Sequence, residues 1–192
     1  MQVYFEDNNF LTIERNDGLY YVTVNVIYEG STKDGEEVKL ILDTGAFMTV
    51  LSRGTAIKHG FDKLPKKAAS ITGFGGTIPA DVIRIPGVKL LNRLYMNVPI
   101  LVPHEMYRVD QKTGKKKQMQ EVLGLNILEY YNYYVDVGND RLYLKENPNP
   151  KFLNEVLKSG DVFTLNLDQI EKIEGRCIEG VSLEENLHDT QE

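Results

Sequence analysis

Leu40, Ile41 and Leu42 run straight into a carboxylate, Asp43, which Thr44, Gly45 and Ala46 follow. Val38 to Leu42 reads as a short apolar strand bound for the interior. Burying an ionised carboxylate is costly unless it is paired or hydrogen-bonded. Taken alone, Asp43 is a strand-to-loop turn residue whose side chain caps nearby backbone amides. A charge at the end of a buried strand needs a reason, and the rest of the chain has to supply it.

Short β-type segments dominate on both sides of this point. Phe10 to Tyr28 reads as strand, turn, strand, because Asn16-Asp17-Gly18 tolerates the positive φ angles of a tight hairpin turn. Gly30 to Glu37 is a polar loop, Phe47 to Leu51 is again strand-like, and Ser52 is placed to cap a short helix ending near Gly60. Ala68 to Arg84 has β character on either side of Gly73-Phe74-Gly75-Gly76, and Tyr95 to Val102 is a return strand. Arg108 to Lys117 reads as a hydrophilic loop. An apolar stretch from Val122 to Leu128 contains Gly124, and strands Tyr133 to Val137 and Leu142 to Lys145 flank a Gly138-Asn139-Asp140 turn. Tyr130, Tyr131, Tyr133 and Tyr134 are explained by alternating burial, as core and interface.

Asn147-Pro148-Asn149-Pro150 interrupts this pattern, since each proline fixes φ and biases its predecessor away from helix. The expected organisation is a domain over residues 1–146, with its core at about 19–145, and a C-terminal extension over 147–192. A helix is expected near Lys151 to Lys158, a strand near Val162 to Leu167, and an acidic tail from Glu184 to Glu192.

Composition removes several function classes. A net charge of −6 over 192 residues is the wrong sign for non-specific nucleic-acid binding, which needs a basic surface. No run of about 20 apolar residues and no basic leader occurs, and the single cysteine, Cys177, suits a reducing compartment. The reading is a soluble cytoplasmic protein with neither a nucleic-acid nor a membrane partner. His59, His104 and His188 lack ligand spacing, His104-Glu105 does not belong to a zinc-protease motif, and the Gly73 to Gly76 run satisfies neither a dinucleotide fingerprint nor a phosphate loop. No metal or cofactor is expected.

Three elements in order resemble the retropepsins, the single-domain aspartic proteases that work as dimers. Leu40 to Ala46 followed by Thr49-Val50-Leu51-Ser52 is similar to their active-site loop, Ile71 to Thr77 to their flap, and Val122-Leu123-Gly124-Leu125-Asn126-Ile127-Leu128 to the apolar-apolar-Gly segment before their last helix. Tyr133 to Val137 and Arg141 to Leu144 resemble the closing strands. The resemblance covers roughly Leu19 to Lys145 and implies a mainly β fold, a closed acid-protease barrel with short helices.

The implied activity is hydrolysis of an extended polypeptide, with Asp43 catalytic and Thr44, Gly45 and Ala46 supporting the loop. Gly73, Phe74, Gly75 and Gly76 would form the flap over the substrate, and Leu123 and Gly124 would be structural support. Two close carboxylates share one proton and so serve as base and acid together. The chain holds one Asp-Thr-Gly, so the resemblance implies a homodimer with both copies of Asp43 at its axis. Ala46, which has no hydroxyl, would leave the site less hydrogen-bonded, and the implied optimum is mildly acidic to near neutral. The competing reading is a non-catalytic or latent protease fold serving as a peptide-binding or dimerisation module.

Overall fold

The computed structural model describes residues 9–73, 76–109, 114, 116–147 and 163–166. In chain order the first strands are β1 (Phe10–Thr12), β2 (Glu14–Asn16), β3 (Leu19–Ile27) and β4 (Glu36–Leu42), followed by a helix α1 (Arg53–Lys58) and a 3-10 turn (Phe61–Lys63). A long hairpin of β5 (Lys66–Gly73) and β6 (Gly76–Leu90) leads into β7 (Arg93–Pro103). Then come β8 (Tyr107–Val109), β9 (Lys116–Gln118), β10 (Val122–Leu123), the one-turn helix α2 (Leu125–Leu128), β11 (Tyr131–Asp136), β12 (Arg141–Glu146) and β13 (Phe163–Asn166). The protein is mainly β, as the sequence implies.

Period-two burial creates the centre. Val22, Val24 and Val26 of β3 and Val38 and Leu40 of β4 are buried, and Val24 lies opposite Val38 and Val22 opposite Leu40 in an antiparallel pair. The turn that feeds β3 uses Asp17 at φ 49° and Gly18 at φ 75°, the left-handed pair expected for an Asp-Gly hairpin.

The main sheet runs β10-β4-β3-β6-β7-β13, with β2 on β3 and β5 on β6; β1-β12-β11 form a second sheet, and β8 and β9 a hairpin. This path is open in its named strands. Its members β7 and β10 are also joined through Val50, which bridges Leu101 in parallel and Val122 in antiparallel sense. Leu40, Leu51, Ile83, Ile100, Leu123 and Leu128 fill the interior between these strands. Tyr95 and Tyr131 are buried at its end with ring centroids 5.8 Å apart, and burial pushes both phenols up, Tyr131 to about 12.

Some segments differ from expectation. Phe47 to Leu51 contributes a single bridging residue, Val50, rather than a strand, and the Phe47 carbonyl accepts the Asn126 amide of α2 instead of a sheet neighbour. Arg108 to Lys117 is not simply a loop, since β8 and β9 pair at its base. β6 continues past Arg84 to Leu90 across Pro86. The expected C-terminal strand exists as β13 and pairs antiparallel with β7, Phe163 opposite Met96. The helix expected near Lys151 to Lys158 and the acidic tail lie outside the described residues.

Helix α1 starts where its sequence says it should. The Ser52 hydroxyl accepts the Thr55 amide at 3.0 Å, and the Glu121 carboxylate accepts both the Ser52 amide at 2.7 Å and the Thr55 hydroxyl at 2.5 Å. At the far end Gly60 at φ 72° turns the chain. Ser52→Ala is expected to cost about 1 kcal/mol. Thermal unfolding should show a melting temperature about 2–4 °C lower, and an unchanged value would mean that Glu121 caps the helix unaided.

Candidate active site

Asp43 leaves the sheet where β4 ends. Ile41 and Leu42 pair in parallel with Val122 and Leu123, and the Asp43 amide continues that ladder by donating to Leu123 O at 3.2 Å. The chain then turns sharply, with the Ala46 amide donating to Asp43 O at 3.2 Å. Asp43 as a whole is half-buried, and its Oδ1 accepts the Gly45 amide at 2.9 Å in an exposed hydrogen bond. Thr44 and Gly45 are exposed and Ala46 half-buried, so the loop presents its backbone to solvent while its base stays in the interior.

Beneath the loop, α2 receives it. The Leu125 amide donates to Ala46 O at 2.9 Å and the Asn126 amide to Phe47 O at 3.1 Å. Helix-start amides without partners in their own helix are thus satisfied by loop carbonyls. Gly124 allows this close contact. A Cβ there would lie 2.4 Å from the Met48 carbonyl carbon and 2.7 Å from the Thr49 nitrogen. Leu123 beside it is fully buried.

Two polar residues at this level, quoted within the sequence motifs, have no role of their own in the sequence reading. Thr49 and Asn126 are 2% and 3% exposed, and Asn126 Oδ1 accepts both the Thr49 amide and the Thr49 hydroxyl. The available signal was Asn126 itself, a polar side chain inside the apolar run Val122 to Leu128.

Gly73 and Gly76 pair at the end of the β5-β6 hairpin, with the Thr72 and Thr77 hydroxyls 2.9 Å apart across the strands. Gly76 is at φ 103°, a conformation that favours glycine. Phe74 and Gly75, expected at the tip, lie outside the described residues.

A family model described as aspartyl protease matches residues 27–127, more than half of the chain, and spans Asp43, the β5-β6 hairpin and Gly124. The chain belongs to the aspartyl protease family. A curated relative, DNA damage-inducible protein 1 of Yarrowia lipolytica (strain CLIB 122 / E 150), is 25% identical over 128 residues, 66% of this chain. The chain spans 29% of that protein's length. A crystal structure of a retropepsin-like aspartic protease from Rickettsia conorii is similar over 70% of this chain and 96% of its own, with 22% identity and a TM-score of 0.48. No helix among the described residues is long and apolar enough to cross a membrane.

Proposed function

We propose that this aspartyl protease is an endopeptidase acting as a two-fold dimer, in which Asp43 and the partner subunit's Asp43 together activate water. The observation that carries the reading is the mounting of Asp43: an acid at the end of an interior strand, fixed by its own amide to Leu123 and by its carboxylate to Gly45. Each chain offers one such Asp-Thr-Gly loop, whereas hydrolysis needs one group to take a proton from water while a second gives one to the substrate carbonyl. Two loops facing across an axis provide both. Two carboxylates that close hold one proton between them, so one takes the proton of water while the other protonates the substrate carbonyl.

The remaining parts have roles in this scheme. The β5-β6 hairpin, from Gly73 through Phe74 and Gly75 to Gly76, covers an extended polypeptide and excludes water. Thr44, Gly45 and Ala46 hold the carboxylates, and Thr44 meets the facing loop. The Val50 bridges between β7 and β10 support a closed barrel as the platform of the site.

The test is cleavage of an unstructured peptide library across about pH 4–8, with and without a pepstatin-type inhibitor, at a series of protein concentrations. Inhibitor-sensitive cleavage is expected, with specific activity rising as monomers associate. Constant specific activity from a species that sediments as a monomer would refute the shared site. Peptide binding without turnover by a confirmed dimer would favour the module reading.

A further inference from the structure

We propose that Asn126 is a positioning residue that sets the separation of the two catalytic carboxylates. The inference rests on the dimeric protease reading above. Asn126 reaches three parts of the fold from one buried point. Its Oδ1 accepts the Thr49 amide at 2.7 Å and the Thr49 hydroxyl at 2.8 Å, its Nδ2 donates to Pro99 O in β7 at 2.7 Å, and its backbone amide donates to Phe47 O at 3.1 Å. The orientation of the amide follows from its partners, since two donors face one end and a carbonyl the other.

The network leads to Asp43 in few steps. Thr49 Oγ1 gives its hydrogen to Asn126 and accepts the Gly124 amide at 3.1 Å. The residue before Gly124 is Leu123, whose carbonyl accepts the Asp43 amide at 3.2 Å. On the other side, Thr49 O accepts the Leu101 amide at 2.9 Å. The segment that follows Asp43 is therefore tied to β7 and α2 through one buried side chain whose oxygen and nitrogen both have partners. Such a network fixes one arrangement, because any loosening strands buried donors and acceptors.

Spacing matters because repulsion between like charges falls with distance, and that repulsion spreads the two apparent pKa values of a carboxylate pair. Across a two-fold axis a shift of one loop is repeated in the other, so a small relaxation changes the separation twice. Loosening Asn126 therefore draws the two limbs of the pH-rate profile together. A residue that only stabilises the fold lowers the melting temperature and the fraction of active protein but leaves the limbs where they are.

The experiment is the pH profile of kcat/KM on one cleaved peptide for the wild type, Asn126→Ala, Thr49→Val and Thr49→Ser, all as full chains, with active sites counted by tight-binding inhibitor titration. The interval between the limbs is expected to shrink by about one pH unit in Asn126→Ala and Thr49→Val. Thr49→Ser, which keeps the hydroxyl, restores it. Thr49→Val retains the shape of the side chain and the amide bond to Asn126, so it carries the test if Asn126→Ala does not fold. Limbs unchanged in Thr49→Val, with wild-type cleavage intact, overturn this inference alone. A wild-type protein that does not cleave overturns the protease reading and this inference with it.

Discussion

Asp43→Asn protein is expected to fold and dimerise as the wild type does while losing cleavage by about 10³-fold or more, the scale on which positioned acid–base groups act. Asparagine has the size of aspartate and its side-chain oxygen can still accept the Gly45 amide, the contact that now holds Asp43 Oδ1 at 2.9 Å. The amide neither takes a proton from water nor shares one with the facing carboxylate. Fold and chemistry are thereby separated, with circular dichroism and sedimentation reporting the first and peptide cleavage the second. Mixing subunits sharpens the result. If both carboxylates are needed, a randomly assorted equal mixture retains about one quarter of the wild-type activity, whereas independent sites would retain about half. A linear response, or full cleavage by the mutant, would remove Asp43 from the role assigned to it.

What could be read in the sequence was local. Asp17-Gly18 and the Ser52 cap each encode geometry through the residues' own backbone and hydrogen-bonding preferences, and each appears where expected. The Asp43 loop was legible because a carboxylate contradicts the strand that delivers it. Non-local choices were not legible. Phe47 to Leu51 has strand chemistry, but its Phe47 carbonyl accepts the Asn126 amide and only Val50 has bridge partners. β6 runs through Pro86, which lacks an amide hydrogen and usually marks a strand's end. Its burial also passes from Ile83 and Ile85 to Val88 and Leu90, which breaks the odd-even alternation. A strand near Val162 to Leu167 could be anticipated from composition, yet its neighbour β7 could not, since pairing partners are chosen by the whole sheet.

Two glycines in the site separate structural need from chemical need. At Gly124 the φ of −99° suits any residue, so the backbone imposes no glycine. The constraint is space: a methyl group would sit 2.4 Å and 2.6 Å from the Met48 carbonyl carbon and oxygen and 2.7 Å from the Thr49 nitrogen. All three are backbone atoms in a segment tied to α2 and β7, and none moves as a flexible side chain would. Gly124→Ala is therefore expected to destabilise by about 3 kcal/mol or more, at the upper end of overpacking effects. That corresponds to a melting temperature lower by about 6–12 °C for a chain of this size. At Gly45 the nearest atom to an added methyl is Asp43 Oδ1 at 3.3 Å, the end of a side chain that can shift by tenths of an ångström. Gly45→Ala should accordingly melt close to the wild type while displacing the carboxylate and lowering kcat. Equal losses of stability in the two variants would mean that the Asp43 turn, like the Gly124 crossing beneath it, is held by packing rather than kept open for chemistry.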